Sequence, residues 1–237
     1  FYEINGLDEL KNANDPYNIY THPSWRPLID LAAEKTDRIL MRTVPFIDTL
    51  PDPLEERITR QTTVDEAGSL FTKTTIRAEG RTLTEVTRRD RDVNTVWVLE
   101  HLLKDLDDLK AYLALPLADL GGVPDTRCVL DAEAELGDTG IVMIDTADPI
   151  CVAASMFHMQ DYTVIAWTEP ALFRQLLDRI AATLQPRTEA VARALPGRLW
   201  RIYGPEYASY PYLSPGLFRQ YVVEYDRPMI DAIQQYG

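Results

Sequence analysis

From Asp125 to Gly237 the chain alternates amphipathic helices with short apolar strands, and this alternation leaves few architectures open. Asp125–Leu136 reads as a helix, Gly140–Asp145 as a strand, Ile150–Phe157 as a helix of small residues and Pro170–Leu195 as a long helix. Leu199–Tyr203 is the next strand, apolar and aromatic and too short for a helix. Short buried strands separated by long helices imply parallel β–α units. The last unit is the best defined. Ser214 is a natural N-cap, and Pro215 suits the first helical position because its missing N–H would be unpaired there anyway. Leu217, Tyr221, Tyr225, Met229 and Ile233 then recur every four residues, with Phe218 and Val222 beside them, as one buried stripe. Pro228 predicts a kink and Gly237 a C′ residue. The loop between strand and helix carries Glu206, Tyr207, Ser209 and Tyr210 just past the strand's carboxyl end, where α/β sheets and barrels place their chemistry.

The N-terminal half is less regular. Phe1 to Tyr20 reads as loop or short helix. His22–Lys35 reads as a helix capped by Ser24, with Leu28, Leu31 and Ala32 on one face. Arg38–Phe46 is an apolar strand, and Gly68–Arg77 with Arg81–Arg88 form a hairpin turning at Glu79-Gly80. Thr95–Leu99 is a further short strand, and Leu106–Leu113 is a helix capped by Asp105. Pro186 predicts an interruption of the long helix.

A net charge of −13 disfavours nucleic acid and anionic membranes as partners, since both repel it. No run of eighteen apolar residues is present, so no transmembrane helix and no membrane partner are expected. The opening FYEINGLDEL is too polar for a signal peptide. Two cysteines, Cys128 and Cys151, make no disulfide framework and suit the reduced thiols of a cytoplasmic protein. His22, His101 and His158 stand apart from one another and from both cysteines, so no metal ligands are assigned. Signatures of nucleotide-binding loops, hydrolase elbows and zinc-protease helices are absent.

Three stretches carry a family resemblance. GPEYASYPYLSPGLFRQYVVEYDRPMIDAIQQYG resembles the strand–loop–helix unit in the middle of the uroporphyrinogen decarboxylase superfamily. WVLEHLLKDLDDLKAYLAL at Trp97–Leu115 is similar to the segment before one of its helices, and GIVMIDTADP at Gly140–Pro149 to its second long barrel strand. The resemblance implies an α/β fold of the (β/α)8 TIM-barrel type. A closed barrel needs eight strands in roughly 250 residues. Here four candidates stand near Leu40, Thr95, Val142 and Trp200, so the expectation is a single partial barrel domain over 1–237, with N-terminal and C-terminal parts of the barrel missing.

By resemblance the activity is that of a carboxy-lyase of porphyrin biosynthesis, removing carboxyl groups from tetrapyrrole acetate side chains without a cofactor. Asp48, in FIDTL, resembles the family aspartate that contacts pyrrole N–H groups, a task suited to an acceptor-only carboxylate. Glu206 and Tyr207 join it as the candidate catalytic residues at the barrel mouth, because a carboxylate among aromatics can be tuned as acid or base. Asp145, Asp148, Tyr203 and Tyr210 are the candidate substrate-binding residues. Arg38, Arg42 and Arg201 are the cations that matter if the substrate is a polycarboxylate. The same superfamily includes corrinoid-linked methyltransferases, which would imply zinc, a methylcobamide and a corrinoid protein as partner. A third possibility is a barrel that binds a tetrapyrrole or corrinoid without turnover. A homodimer is usual for the decarboxylase branch.

Overall fold

Three sheets, of three, two and four strands, and a helical layer make up the described residues, 4–12, 14–47, 49–117 and 122–237, in a computed structural model. In chain order the elements are α1 (Arg26–Lys35), β1 (Arg38–Arg42), β2 (Phe46–Ile47), β3 (Ile58–Val64), β4 (Leu70–Ala78), β5 (Arg81–Arg89), β6 (Val96–Glu100), α2 (Leu106–Leu113), β7 (Val123–Pro124) and α3 (Arg127–Leu136). They continue as β8 (Gly140–Ala147), α4 (Pro149–Ser155), α5 (Met159–Thr168), α6 (Pro170–Ala194), β9 (Leu199–Tyr203), α7 (Pro215–Phe218) and α8 (Glu224–Tyr236).

The fold is α/β. Strands β1, β8 and β9 form a parallel sheet in that order, with Leu40 beside Val142 and Met143 beside Leu199. Side chains alternate across a strand, so Leu40, Val142 and Ile144 share one face. Val129, Ala132 and Leu136 of α3 pack on that face, with Val191 of α6 and the following Leu195. Each fully buried Leu or Ile there contributes about 1.5–3 kcal/mol. The other face carries Ile39, Met41, Ile141, Met143 and Leu199, and no helix of the described residues closes over it fully: Ile141 is 49% exposed and Leu199 42%, while Ile39, Met41 and Met143 are half-buried. Among the described residues the sheet does not close into a barrel.

The hairpin expected at Glu79-Gly80 is present, and Gly80 supplies the positive φ of its turn. It belongs to an antiparallel meander of order β3-β4-β5-β6. Ile76 and Leu83 face each other across β4 and β5, and both are buried in the main core with α2, α4, α5, α6 and α8. Two expectations change here. The strand expected at Thr95–Leu99 exists as β6, but it pairs antiparallel with β5 and is not a barrel strand. Its apolar run sits at a sheet edge with Val96, Trp97, Val98 and Leu99 all exposed. The number of parallel strands in the sheet is therefore three, not four.

Helix α1 begins at Arg26, later than expected, because His22 caps a preceding turn by accepting from Ser24 N. Ile29 and Ala32 are its buried positions, packed on Ile4, while Leu28 and Leu31 are exposed. Pro186 does not divide α6, which runs unbroken for 25 residues. Side chains flanking the proline hold the helix in place: Gln185 Nε2 donates to Tyr225 O at 3.1 Å and Thr188 Oγ1 to Leu184 O at 2.9 Å. Helix α8 carries Pro228 in its interior. The four-residue spacing of the final stripe would drift by about 40° per step in an α-helix. A π-helical turn at Arg219–Val223 takes up part of that drift, so Tyr221, Tyr225 and Met229 are all buried.

Ser214 caps α7 as expected, its Oγ accepting from Leu217 N at 3.3 Å. Ser214→Ala is expected to cost about 1 kcal/mol. That corresponds to a fall of about 2–4 °C in Tm, read by calorimetry. An unchanged Tm would show that the cap contributes nothing. Among the described residues no helix is long and apolar enough to cross a membrane.

Candidate active site

The loops leaving β8 and β9 meet at the carboxyl end of the parallel sheet. Asp148 follows β8 directly, and its backbone N donates to Tyr203 O, the last residue of β9, at 2.8 Å. Its side chain caps α4, with Oδ1 accepting from Cys151 N at 2.7 Å. The carboxyl group is fully buried, and Oδ2 has no hydrogen-bond partner among the described residues. Burial pushes this carboxyl up to about 7; the bond from Cys151 opposes that, and the charges of Asp226 and Glu206 add to it.

Asp226, on α8, is a second buried carboxyl whose Oδ1 lacks a partner among the described residues. Burial pushes it up to about 6. The sequence reading missed this residue. Its spacing from Val222 and Met229 places it on the buried face of the final helix, and that signal was available.

Gly204 makes the close packing possible. It adopts φ 129°, and a Cβ there would lie 2.8 Å from Asp148 Cγ and nearer still to Asp148 Oδ1 and Cys151 Cβ. Glu206 Oε2 accepts from Gly204 N at 3.1 Å, so this exposed carboxylate also orders the turn. Tyr207 is half-buried, and its carbonyl accepts from the Tyr162 hydroxyl at 3.0 Å. Cys151 lies half-buried beside this group. Burial, then the charges of Asp148 and Glu206, push its thiol up to about 11, so it is not a thiolate nucleophile at neutral pH.

On the partly open face, Asp145 and Arg201 sit side by side on β8 and β9 and pair through two bonds of 2.6 and 2.9 Å. The Arg201 guanidinium lies 5.2 Å from the Tyr203 ring centre. The structure thus brings Asp145, Asp148, Tyr203, Glu206 and Tyr207 to one end of two neighbouring strands. Tyr210 stands apart from them, 87% exposed. Asp48 lies outside the described residues. The three arginines singled out above all engage protein groups. Arg38 donates to Asn5 O at 3.2 Å and to Thr139, Arg42 holds Asp8 through two bonds of 2.9 Å, and Arg201 holds Asp145.

The arrangement can hold and move protons. Burial raises Asp148 to about 7 and Asp226 to about 6, so Asp148 is part-protonated at neutral pH and Asp226 takes up its proton below it; both are buried and support the loops from behind. Glu206, Tyr203 and Tyr207 are the groups within reach of a ligand. Among the described residues no three of His, Cys, Asp and Glu converge on a point that could hold a metal ion. Compared with known proteins, the chain matches no family model and no curated protein.

Proposed function

We propose that the chain is a sector of a (β/α)8 barrel of uroporphyrinogen decarboxylase type, acting as a carboxy-lyase on tetrapyrrole acetate side chains. The observation that carries this reading is the parallel sheet with one helix-covered face and one open face, polar only toward its carboxyl end. In a barrel the open face is the interior, and the ends of the strands hold the chemistry. Ile39, Ile141, Met41, Met143 and Leu199 then line the interior, and Asp145, Arg201 and Tyr203 line the mouth.

Decarboxylation breaks the bond between the acetate methylene carbon and its carboxylate. Carbon dioxide leaves, and the electron pair left on the methylene carbon takes up a proton. Glu206 and the Tyr203 and Tyr207 hydroxyls are the proton-bearing or proton-relaying groups at that place, and Asp148 and Gly204 fix the turn that presents them. Glu206→Gln is expected to lower turnover of uroporphyrinogen about a hundredfold, the usual worth of one positioned acid or base. Turnover equal to the parent would remove Glu206 from the mechanism.

A corrinoid methyltransferase of the same superfamily is the second reading. It is favoured by one observation: Arg38, Arg42 and Arg201, the cations a polycarboxylate substrate needs, are each engaged by protein acceptors. Methyl transfer from a methylcobamide, with uroporphyrinogen left untouched, would select it.

A further inference from the structure

A groove of about 590 Å³ runs between the N-terminal segment, the end of β5 and Met41 on the open face of β1, and it shares no residue with the β8–β9 cluster. That volume falls in the usual range for small-molecule sites. Side chains of both signs line it: Asp8, Glu9 and Asp15 as anions, Lys11 and Arg89 as cations.

The protein leaves one charge of each sign incompletely met. Asp8 is held by Arg42 through two bonds of 2.9 Å. Glu9, by contrast, is buried and accepts only from backbone, Asn5 N at 2.8 Å and Gly6 N at 2.9 Å, with no cation beside it among the described residues. Each carboxylate oxygen has two lone pairs, so each Glu9 oxygen can accept once more. A buried charge is best compensated by an opposite charge, and an ammonium group supplies that charge together with the missing donors.

Arg89 is the counterpart. Its polar contacts run through Nη2 alone, to Asp15 at 3.4 Å and to Tyr17 O at 3.5 Å, both at the long limit for such bonds. Nε and Nη1 donate to no protein group among the described residues, and the guanidinium lies 5.2 Å from the Tyr17 ring centre. Free N–H donors on a planar guanidinium suit a carboxylate. Lys11 Nζ, which reaches Glu135 at 2.8 Å, adds positive charge to the same wall. One turn frames both ends: Asn18 Nδ2 donates to Glu9 O at 3.0 Å and to Lys11 O at 3.1 Å, and Arg89 reaches Tyr17 O in that turn.

A plain cation would complete Glu9 but face Lys11 and Arg89. A plain anion would suit Arg89 but face Asp8, Glu9 and Asp15. We propose that this groove binds a small zwitterion, an amino acid, with its ammonium on Glu9 and its carboxylate on Arg89. The proposal is independent of the barrel reading. The test is calorimetry and saturation-transfer NMR on the chain with L-alanine, β-alanine and 4-aminobutyrate as probes, and with methylammonium and acetate as single-charge controls. Saturable binding of at least one zwitterion is expected, at least tenfold tighter than either control. Glu9→Gln and Arg89→Gln are each expected to weaken it about tenfold or more, because each removes a charge-assisted hydrogen bond. The Arg89 side chain is 37% exposed, so Arg89→Gln decides the matter even if Glu9→Gln fails to fold. No binding of any zwitterion overturns the proposal. So does a control that binds as tightly as the best zwitterion, or parent-like affinity in either folded variant.

Discussion

Gly204→Ala is expected to destabilise the chain by about 4 kcal/mol, from backbone strain and overpacking together. For a domain of this size that is a fall of about 8–16 °C in Tm. Two effects combine. At φ 129° an alanine is strained whatever space surrounds it, and here the added methyl would also meet Asp148 and Cys151. Neither neighbour is a flexible tip: Asp148 is fixed by Cys151 N and by Tyr203 O, and both belong to the first turn of α4 or its cap. Gly197 is the control. It has φ 73° but nothing within 4 Å of its missing Cβ, so Gly197→Ala carries the strain alone, about 1 kcal/mol. Equal Tm losses for the two variants would contradict the close approach of Gly204 to Asp148.

The second large effect is on pH dependence. Asp148 titrates near 7 in the folded chain and near the ordinary aspartate value when unfolded. Its folded value is raised, so between about pH 4 and pH 7 the folded state binds the extra proton. Stability from this group is present at the acid end and is lost as pH rises through that window, flattening above it. The full loss is on the order of 4 kcal/mol, about 1.4 kcal/mol for each pH step. Asp226, raised to about 6, adds a smaller loss of the same sign over the lower part of the window. Asp148→Asn removes the titration while keeping an oxygen to accept from Cys151 N. The difference in unfolding free energy between parent and Asp148→Asn, measured by urea titration at pH 5 and pH 8, should therefore favour the variant more at pH 8. A pH-independent difference would show that Asp148 is not protonated in the folded state.

Much of the architecture was legible because it rests on local patterns. The apolar runs around Val142 and Trp200, separated by the amphipathic α6, require parallel pairing, and Ser214-Pro215 marks a helix start that chain geometry enforces. The hairpin was legible from Gly80 and the alternation on either side of it. β3 was not: in ITRQTTV nearly every position is exposed, so no face is selected and no alternation arises. β6 was read as a barrel strand because VWVL has the composition of a buried strand, yet it lies at an exposed edge. Pro186 misleads for another reason, since tertiary packing holds α6 through the missing N–H.

The site was legible only in outline. Glu206, Tyr207 and Asp148 follow strand ends, and position alone singles them out. The unpartnered burial of Asp148 and Asp226 depends on how α8 packs across the loop after β9, which no local pattern records. The pairing of Arg201 with Asp145 follows from the β8–β9 register, which also required the structure.

The most direct test of a decarboxylating barrel sector is to incubate the chain with uroporphyrinogen without oxygen and to follow carbon dioxide release and the carboxyl number of the product by mass spectrometry. Stepwise loss of carboxyl groups with matching carbon dioxide, reduced about a hundredfold in Glu206→Gln, is the expected result. Intact uroporphyrinogen recovered from a chain that still melts cooperatively would contradict it.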